Sequence, residues 1–463
     1  MRTNVTKNPL AKNHSLWSLL AFSLPSIGMM IVISLYTVTD GIFIGRYAGS
    51  NALAASNIVY PAINLVLGLS IMLETGGSAF VAKTLGEKQG HLADRRFSLI
   101  ILTVTVINFL LALTLQVCMT PLLHFLGASP VLYADCLSYL QIMLLFAPAM
   151  GLMTVFNSFY IADGVPKLGF FVATLSGVTN AVLDYVFLAH LGLGIFGAGL
   201  ATGIGYTLAA LIGFYYFSHC SRQIHFARPK WEGRGLLQVF SNGSSELVTQ
   251  LAVGITTYLF NIIVFAWAGE DGIAAISVIL YAEMLMTSIL MGFSMGIAPI
   301  FSYQFGAQNY RILCQLLKKA LVIILGFSLL AFASAQLFAQ PLVRLFLPAG
   351  GHVFTLTLQG FTLFSFSFLL CGFNLFTSGF FTAISDGPTS ALDSFVRNLL
   401  GIAAFLLTLP HLLGLNGVFL AVPAADTAAL LLSLFLLIRQ YKAFQQKTEP
   451  KQLEKLQEMT QTK

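Results

Sequence analysis

Charge is what this sequence has least of. Only 9% of its 463 residues are Lys, Arg, Asp or Glu, where a soluble globular chain carries roughly 25%. A water-soluble fold of this size could not cover its surface with so few polar groups, so an ordinary soluble enzyme is excluded. Disorder is excluded as well, because the chain is 57% hydrophobic with 40 Phe, and its mean hydropathy of +0.83 reverses the signature of an unfolded segment. Cysteine is scarce. Cys118, Cys136, Cys220, Cys314 and Cys371 are scattered without metal-ligand spacing and read as small core residues. Cys118 and Cys136 fall near one face, but nothing in the sequence pairs them. Strand-type alternation is missing too, which removes a transmembrane barrel. What remains is an all-α polytopic membrane protein.

Long charge-free gaps mark the spans, since a helix crossing a hydrocarbon core needs about 20 apolar residues. Ser15 to Thr39 gives 25 uncharged residues, Tyr47 to Leu73 and Cys136 to Ala162 give 27 each, and Ala320 to Val343 gives 24. Longer gaps hold two spans parted by turn signals, at Gly127 to Pro130, around Pro348 to Gly351, and at Pro410 and Gly414. Twelve helices result, starting near Leu16, Asn51, Phe97, Val131, Leu168, Leu193, Leu236, Gly272, Leu316, Phe354, Thr389 and Leu415. The first apolar stretch is too long for a cleavable signal and reads as the first span.

Twelve spans put both termini on one face. That face gathers 22 of the 24 basic residues, from Arg2, Lys7 and Lys12 through loops holding Lys83, Lys167, Arg222, Arg311 and Arg397 to Lys463, against Arg46 and Arg344 on the other. By the positive-inside rule the basic face is cytoplasmic, in a plasma or bacterial inner membrane. The net charge of +6 is a topology signal spread over loops, and nucleic acid is not an expected partner.

A shift of 220 residues superposes Gly49, Ala54, Ala55, Ala62, Leu65, Gly76 and Gly86 on Gly269, Ala274, Ala275, Ala282, Leu285, Gly296 and Gly306. The same shift places Phe156, Ser158, Gly194, Gly197, Leu200 and Ala201 on Phe376, Ser378, Gly414, Gly417, Leu420 and Ala421. The chain thus reads as a duplication: a first six-helix lobe over 1–220, a linker over 221–235, a second lobe over 236–441 and a charged tail over 442–463. Six spans per copy is an even number, so the copies enter the membrane in the same sense about a pseudo-two-fold along its normal, an architecture of transporters.

Charges inside spans are functional candidates, because each costs about 3 kcal/mol or more at mid-membrane. Here they are Asp40, Asp184, Glu246, Glu283, Asp393, Arg397 and Asp426. Asn180 and Asp184 share a helix face at i, i+4, as do Tyr36 and Asp40. With Thr202, the two carboxylates and the amide make an oxygen-rich set that suits Na+; alternatively the carboxylates share a proton. Asp393 and Arg397, also at i, i+4 and near Asp426, read as a charge-compensating cluster. Pro25 inside the first span removes a helix hydrogen bond and permits a bend. Gly192 to Gly197 matches G-x-G-x-x-G only literally, since no strand precedes it. The sequons at Asn4 and Asn242 lie on the basic side or at a span edge.

Leu35 to Ser56 (LYTVTDGIFIGRYAGSNALAAS), Gly177 to Phe187 (GVTNAVLDYVF), Gly194 to Gly203 (GIFGAGLATG) and Val422 to Asp426 (VPAAD) resemble the MATE family of multidrug and toxic-compound extrusion proteins. The resemblance runs from Leu16 to Arg439 and implies a two-lobed antiporter, not an enzyme. Such a protein exports lipophilic, cationic small molecules as a monomer while Na+ or H+ runs inward, with no further cofactor. It also implies an ion site at Asp40, Asn180, Asp184 and Thr202, with Tyr139 as a hydrogen-bonding neighbour, and matches a second-lobe acid of another branch at Glu246. Two other functions compete. An intramembrane prenyltransferase would need a second acid-rich motif beside Asn180-x-x-x-Asp184, and a lipid-linked precursor flippase would need more basic residues in its cavity than Arg397.

Overall fold

The computed structural model describes residues 8–347 and 350–461, without side-chain placement for Leu345 and for 449–461. Arg2, Lys7, the Asn4 sequon, Pro348 and Lys463 lie outside the described residues. Every regular element of the described chain is a helix, and the described residues contain no strand.

Twelve membrane helices follow in order. The first lobe has α1 (Leu16–Ala48), α2 (Ser50–Gly86), α3 (Gly90–Val117), α4 (Tyr133–Leu145 and Ala147–Ala162), α5 (Pro166–His190) and α6 (Gly194–His219). The stretch Gly233–Gly306 supplies α7 (233–268) and α8 (270–306), parted at Gly269, whose φ of 60° ends one helix and starts the next. Then come α9 (Tyr310–Leu337), α10 (His352–Ala383), α11 (Gly387–Leu413) and α12 (Leu415–Gln461). The charged tail is therefore the unbroken end of α12.

The expected starts miss most at α3 and α9, which begin seven and six residues before Phe97 and Leu316. Charge gaps mark the part of a helix in lipid, whereas His91, Arg95 and Arg311 belong to turns that continue into water. Arg397 is a further correction: it lies inside α11 and is not a loop cation. Pro25 sits in α1, which runs through it unbroken. The 53° bend falls in α4, where Pro148 removes a hydrogen bond just after the break.

Duplication is visible in the backbone. Gly49 and Gly269, 220 positions apart, both turn the chain with positive φ (96° and 60°), and so do Gly194 and Gly414 (58° and 61°). A side chain at any of them would be strained.

Among the described residues, the close contacts between the lobes lie in the basic half and the middle of the membrane. A Cβ on Gly86 of α2 would overlap the carbonyl oxygen of Tyr303 of α8, and one on Gly306 would overlap that of Lys83; each contact is the other's image under the 220-residue shift. Gly243 of α7 meets the Met72 carbonyl in the same way, and Ser34 of α1 bonds Ser288 of α8 at 2.5 Å. Leu10, Leu19 and Ile27 join Phe293, Phe301 and Phe380 in one apolar cluster across the boundary. Toward the opposite face each lobe packs separately, around Val59, Leu140 and Leu188 in the first and Phe260, Phe361 and Phe419 in the second.

Residues 221–232 carry no helix and are strapped to the first lobe. Asp163, fully buried after α4, accepts the N–H groups of Arg222, Gln223 and Ile224 at 2.7–2.9 Å and the Tyr216 hydroxyl at 2.7 Å. Asp94 accepts from the His225 N–H, and Arg96 forks onto both oxygens of Glu232. Asp163→Ala strands four donors, of which the Ile224 N–H is buried and the other three part-buried, at about 1 kcal/mol each on average. A loss of about 4 kcal/mol follows, seen as early melting of purified protein, with Asp163→Asn losing less.

Candidate functional site

The oxygen-bearing residues expected to act together converge near the far face of the first lobe. Asp184 is fully buried, and Asn180 and Thr202 are 3% and 4% exposed. α1 brings Asp40 against α5, so that the Asp40 and Asp184 carboxyls lie within hydrogen-bonding reach of each other. Asn180 contacts the Thr202 hydroxyl at 3.1 Å; with its amide turned over, its nitrogen donates to Asp184 at 3.3 Å and its oxygen accepts from Thr202. One oxygen of Asp40 and one of Asp184 are buried without a hydrogen-bond partner. Two carboxyls held this close, with unmet lone pairs, are a site that attracts a cation or a proton.

A tyrosine wall closes the site. The Tyr36 hydroxyl bonds that of Tyr206 at 2.8 Å and makes no direct bond to the acids. Tyr139 is buried beside both carboxyls and Tyr206 but, contrary to expectation, bonds neither carboxyl. Tyr206 is the member that sequence reasoning missed. Its signal was there, since Thr202 and Tyr206 repeat on α6 the i, i+4 spacing of Tyr36 and Asp40 on α1. Both α1 and α5 loosen into π-helical turns just beyond the acids, at Ile44–Ala48 and Tyr185–His190. Such turns are frequent at functional sites.

Glu246 does not join this cluster. It is half-buried on α7, facing Glu74 of α2 across the lobe boundary, and Glu74 accepts a hydrogen bond from Ser158 at 2.7 Å. Glu74 was missed because the apolar gap closes at Leu73; α2 in fact continues to Gly86. In the second lobe Arg397 binds Asp426 at 2.7 Å, and Asp393 binds Ser433 at 2.8 Å. The expected Asp393–Arg397 pair is absent among the described ion pairs, because Arg397 stands on a third π-helical turn, Val396–Gly401, that turns it toward α12. Glu283 is half-buried near Asp426 and Arg397. All five cysteines are free, with Cys136 buried and Cys118 exposed.

Two duplicated six-helix lobes, packed together at one face and separately toward the other, with a carboxyl pair inside the first, define a membrane transporter of the twelve-helix, two-lobed kind. The MatE family model matches residues 25–186 and 247–405. The chain belongs to the MATE family. It is 23% identical over 429 residues to the multidrug export protein MepA of Staphylococcus saprophyticus, covering 90% of this chain and 92% of that one. To MepA of Staphylococcus aureus (strain NCTC 8325 / PS 47) it is 24% identical over 435 residues, covering 93% and 94%. A MATE crystallised in complex with MaL6 superposes with a TM-score of 0.90 at 21% identity, over 96% of this chain and all of that one. An outward-facing multidrug resistance MATE transporter of the MOP superfamily gives 0.87 at 22%, with the same coverage.

Proposed function

We propose that this protein is a cation-coupled antiporter that exports lipophilic, cationic small molecules by alternating access, with the coupling ion held by Asp40, Asn180, Asp184 and Thr202. The observation that carries this reading is the Asp40–Asp184 pair. Both acids sit inside the first lobe with unmet oxygens and, among the described residues, no basic group acts on either. A Na+ ion or a proton between them relieves their mutual repulsion. The MepA relatives are named as multidrug exporters, which supports the substrate class.

Taking the basic face as cytoplasmic, the lobes meet on the cytoplasmic side and part toward the outside, the posture in which an ion enters and drug leaves. When the cytoplasmic contacts open, the ion departs inward and drug rebinds. Coupling requires that ion and drug favour different states or exclude one another, since a ligand with equal affinity for both shifts nothing. The flippase alternative weakens because Arg397, the cation it would use, is occupied by Asp426.

Proteoliposomes loaded with a fluorescent lipophilic cation test the proposal. Export is expected under an imposed Na+ gradient or an imposed pH gradient, and the arm that works names the ion. Export unaffected by either gradient rejects it.

A further inference from the structure

The hydrogen bonds joining α10, α11 and α12 can be counted donor by donor. Asn374 of α10 gives its amide nitrogen to the backbone oxygen of Asp426 at 3.0 Å and to Asp426 Oδ1 at 3.2 Å, which commits both its hydrogens. Turning the amide over would set its oxygen against two acceptors, so its Oδ1 points the other way, to Ser433 Oγ at 3.1 Å. That oxygen can only accept, and the single hydroxyl hydrogen of Ser433 must go to it. Yet Asp393 Oδ1 also lies 2.8 Å from the same hydroxyl. With the Ser433 hydrogen spent, the close contact needs a hydrogen from Asp393.

We infer that Asp393 is a proton-binding site in the second lobe, separate from the first-lobe pair, carrying its proton in this conformation and donating it to Ser433. The site is built inside protein: Asp393 is 1% exposed, Asp426 2%, Asn374 1% and Ser433 fully buried. The second oxygens of Asp393 and Asp426 have no partner. Around them stand Arg397 on α11, Glu283 on α8 and Cys371 on α10, so one cation faces three acids. The π-helical turn at Val396–Gly401 begins three residues after Asp393, as the first-lobe turns begin within four residues of Asp40 and Asp184.

Losing the proton rearranges the chain. When the Asp393 O–H bond gives H+ to water, Ser433 turns its hydrogen to the new carboxylate, and Asn374 is left facing a lone pair. Its amide recovers a bond only by rotating, which releases Asp426 and leaves Arg397 as that carboxylate's one bonded partner. Proton occupancy of Asp393 thus controls whether Asn374 of α10 donates to Asp426 or to Ser433 of α12. Six residues from the start of α11, Asp393 lies about 9 Å from the basic face, where the lobes are closed in this structure; its proton leaves when they open there. None of this depends on which ion the first lobe carries.

Infrared difference spectroscopy on purified protein in lipid nanodiscs tests the assignment, in an Asp40→Asn/Asp184→Asn background that silences the first-lobe pair. Subtraction of spectra with and without Asp393→Asn cancels the bands of Glu74, Glu246 and Glu283. A deuterium-sensitive carboxylic-acid C=O band that titrates away with rising pH is expected in the difference. Ser433→Ala, which removes the acceptor, is expected to move that band to higher frequency. Superimposable spectra with and without Asp393→Asn overturn the inference. If Asp393→Asn does not fold, Ser433→Ala decides: a shifted acid band supports the assignment and an unshifted one refutes it.

Discussion

Asp184→Asn is expected to reduce ion-driven export from proteoliposomes to the leak rate of protein-free vesicles while leaving a monodisperse, folded protein. The side chain keeps its shape, so packing around the fully buried position is retained. What disappears is a charge that a cation or proton can neutralise, and with it the difference in ion affinity between the two states that drives the cycle. Folding stability should hold or rise, because removing one of two like groups in a low-dielectric pocket ends their repulsion without stranding a bonded partner. Asp40→Asn should act in the same way. Thr202→Val removes only a neutral ligand and should weaken ion dependence by about tenfold, the effect of roughly 1.4 kcal/mol, without abolishing export. Export by Asp184→Asn at the wild-type rate would remove the site from the mechanism.

Gly243→Leu should have an effect as large, by a different route. A bulky side chain there has no room while the Met72 backbone lies against α7, so the lobe contact of the basic half cannot form in its present geometry. Overpacking costs about 1–3 kcal/mol, enough to reverse an equilibrium between states that differ by a few kcal/mol. Spin labels placed on the α2 and α8 ends near Gly86 and Gly306 should therefore report a long distance in the variant and a short one in the parent. Export should fall several-fold or more while binding of a fluorescent substrate persists. An unchanged distance distribution would show that the glycine contact does not control closure.

The fold was legible in the sequence to the extent that lipid dictates it. Helix number and the even split follow from where charge is absent, while the repeat offset follows from matched small and apolar residues and returns in the turns at Gly49 and Gly269. Helix ends were less legible, because α3 and α9 extend into water beyond their apolar segments. Spacing identified Asn180, Asp184, Tyr36 and Asp40 as facing pairs, each on one helix, where i, i+4 geometry is reliable. Side-chain partners on different helices were another matter. Arg397 was expected beside Asp393 on the same helix, and a π-helical turn, which sequence periodicity does not announce, sends it to Asp426. Tyr139 was expected to bond the acids and only stands beside them. Glu74 was hidden because it ends an apolar run and so resembled a loop residue.

Substrate efflux and ion entry recorded together in the same vesicles bear most directly on the central claim, that the Asp40–Asp184 pair exchanges an ion for drug. With a lipophilic fluorescent cation inside, and entry of Na+ or H+ followed by radiosodium or a pH-sensitive dye, ions should enter in fixed proportion to substrate leaving, and both fluxes should vanish together in Asp184→Asn. Substrate leaving with no accompanying ion entry, or ion entry that survives unchanged in Asp184→Asn, would contradict it.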